Sequence, residues 1–277
     1  MAAVALVWGS AFVAQRLAAA QTGFFLYNAA RFLLGALTVW VLSRGRLGKA
    51  TRAELRGGLL LGAILFIGAA LQQAGLAHTT AGKAGFITGM YVILVPLYLT
   101  LFWRQPLRRR AWAAALLALV GLLLLSVTEH FTLAPGDGIE LLAALLWALH
   151  VVLAGRIVAG ADPLRVALMQ FLVCGLLSAA SGLAFEFDRL GSLPSAWAPI
   201  VYTGVFSVGL GYTFQLVAQR TAPASDTAVI LSLEAVFAAV FGWLLLGELL
   251  SAQQVLGAAI MLAAMLLAQV DTVKRLP

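Results

Sequence analysis

The sequence predicts an all-α integral membrane protein with ten transmembrane helices, arranged as two inverted five-helix repeats. Three observations predict it: apolar runs of about 20 residues, basic residues concentrated in alternate loops, and a pattern in the first half that returns in the second. Hydrophobic residues make up 62% of the chain and charged residues 10%, against roughly 25% charged residues in an average soluble domain. This composition leaves too little polar surface for a soluble protein of 277 residues.

The apolar runs place the spans in order along the chain, with glycine and proline residues marking most breaks. Only a few residues join spans four and five, and likewise eight and nine, which predicts tight antiparallel hairpins. The expected spans are 3–20, 24–43, 57–77, 84–103, 111–127, 139–158, 164–185, 197–218, 226–247 and 253–270.

The loop charges predict the orientation, because cytoplasmic loops are rich in Lys and Arg. With both termini in the cytoplasm, the outer loops hold two basic residues, Lys83 and Arg189, beside the acids Glu129, Asp137, Glu186, Asp188 and Glu248. The location predicted is the inner membrane. The inner loops and C-terminus hold fourteen basic residues: Arg44, Arg46, Lys49, Arg52, Arg56, Arg104, Arg108, Arg109, Arg110, Arg156, Arg165, Arg220, Lys274 and Arg275.

Residues 1–20 are expected to form a retained first helix. A cleaved signal peptide begins with a cationic region, and here the first basic residue, Arg16, follows the apolar run. The net charge of +7 does not predict nucleic-acid binding, since the basic residues are divided among short loops and form no continuous face.

The second half of the chain repeats the first. Trp8 and Trp147 are 139 residues apart, and so are Arg31-Phe32-Leu33 and Gln170-Phe171-Leu172. Each half has five spans, an odd number, so the second half enters the membrane in the opposite direction. Inverted repeats are typical of alternating-access transporters, whose substrate site lies near the membrane midplane. A duplication kept only for packing is the alternative.

Several stretches resemble the EamA-domain pattern of the ten-helix drug/metabolite transporter superfamily. They are Ser232–Ala239, Leu246-Gly247-Glu248 and Gln254–Ala259, together with Trp8-Gly9-Ser10 and Arg31-Phe32 of the first repeat. Two positions depart from the pattern: Ala235 replaces a proline common after the glutamate, and Trp103–Pro106 replaces the Gly-Glu signature of the first repeat.

The resemblance divides the chain into a first five-helix repeat (1–127), an outer connecting loop (128–137) and a second, inverted repeat (138–277). It implies an exporter of small metabolites, with amino acids that have large or aromatic side chains as the leading class. The rivals are a drug or nucleotide-sugar carrier of the same superfamily and, outside it, an integral membrane enzyme or a scaffold.

Two ionisable residues lie deep in predicted spans, where a charge requires a compensating role. Arg31 is roughly 10 Å from the outer end of span two, and Glu234 about 12 Å from the inner end of span nine, at 1.5 Å per residue. They could meet the carboxylate and the ammonium of a zwitterionic substrate. Alternatively they hold helices together, and Glu234 could also carry a proton.

Aromatic and amide side chains complete the predicted substrate cavity, because their spacing puts them on shared helix faces. Trp8 and Trp147 occupy matching places in the two repeats; the alternative for tryptophan is an interfacial belt, as expected for Trp40, Trp103, Trp112 and Trp197. The predicted cavity residues are Trp8, Phe12, Gln15, Arg31, Gln72, Thr88, Tyr91, Trp147, His150, Tyr212, Gln215 and Glu234.

No enzyme is predicted. The histidines His78, His130 and His150 are scattered, Cys174 is the sole cysteine, and no phosphate-binding glycine loop occurs, so no catalytic residue, metal or cofactor is expected. The predicted partners are a small-molecule substrate and the lipid bilayer, with the oligomeric state left open and a monomer sufficient. The pairs Gly58/Gly62 and Gly85/Gly89 are expected to let helices pack closely.

Overall fold

A computed structural model describes residues 1–45, 47–79, 81–126, 135–246 and 251–273. Several predictions fall outside these ranges: the loop positions of Arg46, Glu129, Glu248, Lys274 and Arg275, the Gly247-Glu248 motif, His130, and most of the loop 128–137.

The described residues are almost entirely helical, and the α-helices are numbered here in chain order. A 3-10 helix, Phe187–Ala196, precedes α9, and a π-helical segment, Thr203–Tyr212, joins α9 to α10. The α-helices are α1 (Ala2–Ala19), α2 (Phe24–Leu42), α3 (Arg52–Leu76), α4 (Ala81–Gly89), α5 (Tyr91–Leu101), α6 (Arg109–Ser126), α7 (Pro135–Val158), α8 (Pro163–Phe185), α9 (Trp197–Tyr202), α10 (Thr213–Gln219), α11 (Ala224–Leu231), α12 (Glu234–Leu246) and α13 (Ala252–Val273).

Within the described ranges, eight helical stretches are long and apolar enough to cross a membrane, and Ala252–Ala268 is a shorter apolar helix. The helix α6, an apolar stretch of 18 residues, packs along α13. The predicted class, an all-helical multi-pass membrane protein, is therefore confirmed, with eight to ten apolar helices. The inverted relation between the two halves stays a prediction.

Two helices start four or more residues earlier than predicted. The third begins at Arg52 rather than 57 because Thr51 and Glu54 form a capping box: the Thr51 N–H donates to Glu54 Oε2 at 2.7 Å, and the Glu54 N–H donates to Thr51 Oγ1 at 3.2 Å. The sixth begins at Pro135 rather than 139, so the residues 135–137 assigned to the connecting loop lie in α7.

Three spans expected to be continuous helices are interrupted. The fourth is divided at Met90 into α4 and α5, and the ninth at Ser232-Leu233 into α11 and α12. At the second break the Ser232 hydroxyl donates to the Val229 carbonyl at 2.8 Å, an alternative to regular helical bonding. The eighth contains the π-helical segment. Interrupted helices of this kind are typical of transporter binding sites.

The helix connections gather at two ends of the bundle. The N-terminal end, where α1 begins, carries the connections 43–51, 102–108, 159–162 and 220–223. The far end carries 20–23, 77–79 and 186–196. Arg16, Lys83 and Arg189 are the described basic residues near the far end, whereas eleven lie in or beside the N-terminal connections: Arg44, Lys49, Arg52, Arg56, Arg104, Arg108, Arg109, Arg110, Arg156, Arg165 and Arg220.

Buried carboxylates join α2 and α3 to α8 at both ends. At the N-terminal end, Glu54 accepts a hydrogen bond from the Asp162 N–H at 3.1 Å and pairs with Arg165 at 3.3 Å. At the far end, Glu186 accepts from the N–H groups of Phe25 and Leu26 at 3.3 and 2.9 Å. Because each carboxylate bridges two helices, Glu54 fixes α8 against α3 and Glu186 fixes α8 against α2.

Glycines permit the closest of these helix contacts. A Cβ atom at Gly62 in α3 would lie 2.6 Å from the Val173 Cβ and 2.8 Å from the Gln170 carbonyl of α8. A Cβ at Gly58 would overlap Met169 of the same helix. The predicted close packing at this pair is confirmed. At the second pair, a Cβ at Gly85 would lie 3.4 Å from the nearest atom, an ordinary contact, whereas a Cβ at Gly89 would lie 3.1 Å from Leu122 Cδ1, so the close packing is found at Gly89 and not at Gly85.

Candidate functional site

A cavity lies in the middle of the bundle, beside the interrupted helices. All twelve residues predicted from the sequence line it, together with Val151 and Ser207, which the sequence did not suggest. They come from α1, α2, α3, α4, α5, α7, α10 and α12 and the π-helical segment. The structure thus brings the whole predicted set together, and its role in substrate binding stays a prediction.

Aromatic rings form one wall of the cavity, with Tyr212 at their centre. The ring centroid of Tyr212 lies 4.6 Å from that of Trp8, 6.2 Å from that of Trp147 and 5.7 Å from that of His150. The two tryptophans that occupy matching places in the repeats therefore meet at one tyrosine. The Trp8 indole N–H donates to the Ser207 carbonyl at 3.0 Å, which ties α1 to the π-helical segment.

Arg31 supplies a buried positive charge. Its side chain is 4% exposed, and its guanidinium donates to Asn28 Oδ1 at 2.9 Å and to Gln15 Oε1 at 2.8 Å. The guanidinium carbon also lies 5.0 Å from the ring centroid of Phe32. Neutral amide oxygens and rings orient the guanidinium while leaving its charge unneutralised. Such a charge is available for a bound anion.

Glu234 supplies a buried carboxyl group at the start of α12. Its side chain is 2% exposed and accepts a hydrogen bond from the Tyr91 hydroxyl at 2.8 Å. Tyr91 begins α5 and Glu234 begins α12, so this bond joins the two helix breaks. Among the described residues, Arg31 and Glu234 form no ion pair with each other or with a third residue.

Amide groups order the remaining polar positions. Gln72 Nε2 donates to Thr88 Oγ1 at 3.1 Å, and His150 Nε2 lies 3.0 Å from Gln170 Oε1. Two cavity atoms are buried without a hydrogen-bond partner in the described part of the chain: Trp147 Nε1, a donor, and Gln215 Oε1, an acceptor. Unpaired buried polar atoms are uncommon in proteins, and a ligand that bonded to both would satisfy them.

The central cavity is small. Its volume is about 40 Å³, which is room for only a few water molecules. A second cavity of about 310 Å³, here called the vestibule, lies at the N-terminal end between α5, α7, α10 and α11. In this conformation the vestibule is the roomier of the two.

Gln219 separates the vestibule from the central cavity. It lines the vestibule, and its Nε2 donates to the Val151 carbonyl at 2.8 Å. Its Oε1 accepts from Gln215 Nε2 at 3.0 Å. Val151 and Gln215 both line the central cavity, so the Gln219 side chain lies between the two spaces.

Polar contacts also close the bundle between the cavity and the far end. Gln73 Nε2 donates to the Gln15 carbonyl at 2.9 Å, and the Arg16 guanidinium donates to the Leu76 carbonyl. The Thr79 hydroxyl donates to Asp137 Oδ1 at 2.5 Å, and Lys83 Nζ lies 3.6 Å from Asp137 Oδ2. These contacts join α1, α3, α4 and α7, so the far end is closed.

Sequence reasoning missed several buried polar residues around the cavity. Asn28, Gln170 and Gln219 are each at most 3% exposed and hold Arg31, His150 and Gln215 in place. Gln170 carried a usable signal, because it occupies the place of Arg31 in the second repeat. Gln219 lies near a predicted span end, where a polar residue needs no explanation, and only the packing reveals its role.

The profile of the EamA-like transporter family matches residues 1–127 and 135–269, almost the whole chain in two copies. An "Uncharacterized transporter" of Archaeoglobus fulgidus is 30% identical over 96% of this chain and 83% of its own length. The "WAT1-related protein At3g02690, chloroplastic" of Arabidopsis thaliana is 27% identical over 94% of this chain and 66% of its own length.

The fold also resembles a solved structure, described only as "Crystal structure of protein". The two chains superpose with a TM-score of 0.74 over 98% of each, at 20% sequence identity. At this identity the likeness concerns the fold alone.

Proposed function

The chain belongs to the EamA-like transporter family and is a multi-pass membrane transporter; on that premise we propose that it exports zwitterionic small metabolites through the central cavity. Amino acids with large or aromatic side chains are the leading substrate class. Each end of the bundle would open in turn, as in other carriers built from repeats with interrupted helices.

One observation carries this proposal: Arg31 and Glu234 are both buried, line the same cavity and do not pair with each other. An uncompensated charge at membrane depth is expensive, so both groups call for a partner. An amino acid supplies a carboxylate for Arg31 and an ammonium for Glu234 at once. A bound zwitterion would therefore neutralise both charges without changing the net charge of the cavity.

The aromatic wall of the cavity favours a substrate with a large or aromatic side chain. The rings of Trp8, Trp147 and Tyr212 line the cavity and lie close together, and an aromatic pair contributes about 0.5–1.5 kcal/mol beyond buried area. The unpaired Trp147 Nε1 and Gln215 Oε1 add a donor and an acceptor for polar atoms of the substrate. Apolar walls with a few polar groups are typical of small-molecule sites.

The rival substrates of the superfamily fit this charge pattern less well. A nucleotide sugar carries two or more negative charges, and the cavity offers it one cation beside one anion. A cationic drug would be attracted by Glu234 and repelled by Arg31. The zwitterion is the class that satisfies both residues. A scaffold role would leave the two buried charges without a ligand, and an enzyme role is not supported by membership of a transporter family.

The charge distribution supports the orientation. Eleven described basic residues lie at the N-terminal end and three near the far end, and cytoplasmic loops are the basic ones. We therefore place the N-terminal end and its vestibule in the cytoplasm, both termini included, with the inner membrane as the location. The conformation described is then closed to the outside.

Counterflow in proteoliposomes tests the substrate class. Phenylalanine and tryptophan should exchange with labelled phenylalanine, whereas phenethylamine, which lacks the carboxylate, and 3-phenylpropionate, which lacks the ammonium, should exchange poorly. The Glu234→Gln variant should lose its preference for phenylalanine over 3-phenylpropionate. Glu186→Gln is the control, since Glu186 bonds to the backbone at the far end, away from the cavity. Equal exchange of phenylalanine, phenethylamine and 3-phenylpropionate, or exchange of nucleotide sugars alone, would overturn the proposal.

A further inference from the structure

Glu140 in α7 is a fully buried acid that the proposed substrate site does not use. Its side chain is 0% exposed, and neither carboxyl oxygen has a hydrogen-bond partner among the described residues. The Thr88 hydroxyl lies nearby, but not in hydrogen-bonding geometry. Most buried polar groups in proteins are paired, so two unpaired oxygens on one carboxyl group require an explanation.

The surroundings of Glu140 oppose a negative charge. Its side chain packs against Gly75, where a Cβ atom would lie 2.8 Å from the Glu140 Cγ. Gly75 belongs to the last turn of α3, and the C-terminal end of a helix is the negative end of its dipole. Asp137, one turn before Glu140 on the same helix, adds a second carboxylate.

The charged groups near this end are engaged elsewhere. Lys83 on α4 contacts Asp137, and Arg16 on α1 bonds to the Leu76 carbonyl at the end of α3. His78 follows α3 and lies against Gly136. Deeper in the bundle, Tyr91 of α5 bonds to Glu234. No described cation pairs with Glu140, and unlike Glu234 it accepts no hydrogen bond, so these surroundings favour the neutral form of its carboxyl group.

We propose that Glu140 is a proton-binding site that is occupied while the far end is closed. The proton comes from water on the far side when that end is open, and the neutral carboxyl group then packs against α3. Loss of the proton creates a buried, unpaired carboxylate that is hydrated only if α7 separates from α3. Protonation of this one residue therefore controls opening to the outside, whereas Glu234 serves the substrate.

The proton site itself can be tested without transport, and only its effect on export depends on the proposed function. Infrared spectroscopy of the purified protein detects the carbonyl stretch of a protonated carboxyl group. Wild type should show this band at neutral pH, and Glu140→Gln should lack it. Glu186→Gln is the matched control, because Glu186 is also a buried glutamate at the far end but accepts two backbone N–H bonds. A wild type without the Glu140-dependent band would overturn the proposal.

Opening of the far end is measured by thiol labelling. A cysteine replaces Ala81, which is 8% exposed at the far end, after Cys174→Ser removes the native thiol. A second protein with Gly191→Cys corrects for the effect of pH on the reagent. A Cβ atom at Gly191 would have no atom within 4 Å, so the cysteine should be accessible at every pH. The corrected rate should rise with alkaline pH by up to about tenfold per pH unit, the limit for one linked proton.

Two variants make the labelling result decisive. Glu140→Gln and Glu140→Met cannot ionise, so both should remove the pH dependence, and Glu186→Gln should retain it. A corrected rate that is independent of pH in wild type would refute the proposal. A rate that follows Na⁺ at constant pH would refute it too, since Glu140 would then be a metal-cation site. If amino-acid counterflow fails but the band and the pH dependence hold, the proton site stands and the substrate proposal falls.

Discussion

Replacing Gln219 with alanine should open the passage between the vestibule and the central cavity. The change removes two hydrogen bonds, from Gln215 Nε2 at 3.0 Å and to the Val151 carbonyl at 2.8 Å, together with the side chain that lies between the two spaces. It adds nothing in their place. The central cavity then becomes continuous with the larger space at the N-terminal end.

The size of the effect follows from these two bonds. Each contributes about 0.5–1.5 kcal/mol net, so their loss shifts the equilibrium toward the open passage by about 1–3 kcal/mol. That free energy corresponds to roughly 5- to 150-fold in the opening equilibrium. Gln215 Nε2 also loses its acceptor in the closed state, which favours opening in the same direction.

Thiol labelling of the cavity measures this opening. The reporter is Ser207→Cys, 5% exposed in the cavity wall, in a Cys174→Ser background, with reagent supplied from the N-terminal side. Gln219→Ala should raise the labelling rate by at least several-fold. Gln105→Ala is the matched control, because Gln105 lines the same vestibule but is absent from the bonds that close the passage. Equal rates in the two variants would show that Gln219 does not separate the two spaces.

Three further predictions concern packing, substrate contact and orientation. Gly62→Ala should lower the free energy of unfolding by about 1–3 kcal/mol through overpacking against α8. Gly82→Ala should not destabilise the protein, because a Cβ atom at this helical position would have no atom within 4 Å. Thermal unfolding that ranks the two variants the other way would contradict the contact at Gly62. Trp147→Phe keeps an aromatic ring but removes the unpaired indole N–H, so binding of an aromatic amino acid should weaken about 2- to 12-fold, the value of one hydrogen bond, and unchanged affinity by calorimetry would exclude that bond. In intact cells, cysteine at Gly191 should react with an impermeant thiol reagent and cysteine at Lys49 should not; labelling of the Lys49 position from outside would reverse the orientation.

The cavity was predictable because its residues follow simple periodic rules. Trp8, Phe12 and Gln15 are spaced by one helical turn and share a face. Trp147 was indicated by the repeat, which assigns it the place of Trp8 in the second half. Every one of these positions lies in a long apolar run, where a polar or aromatic side chain stands out against its neighbours.

The interruptions of the helices were not predictable in the same way. Met90 and Ser232-Leu233 lie within apolar runs whose hydropathy is continuous. A break there is stable only because other helices surround it, as the bond between Tyr91 and Glu234 illustrates. Hydropathy measures the affinity of a segment for lipid, and it carries no information about the neighbours that replace lost backbone bonds.

Glu140 shows a second limit. The sequence offered Glu234 as the single deeply placed acid, and the structure shows that Glu140 is buried as completely. Glu140 lies in the second turn of α7, near a helix end, where an acidic residue does not stand out in the sequence. Burial at that depth arises from α3 and α4 packing over it, a tertiary fact that no window of sequence contains.

The carboxylates Glu54 and Glu186 fasten α8 to α3 at one end and to α2 at the other. If the two ends of the bundle open in turn, as proposed, these three helices should keep their mutual distances and form a fixed frame. Arg31 stands on this frame, in α2, whereas Glu234 begins the second half of an interrupted helix outside it. A zwitterion held between them would connect the fixed frame to the part that moves. The distance between its carboxylate and its ammonium would then limit how far the two parts can turn relative to each other.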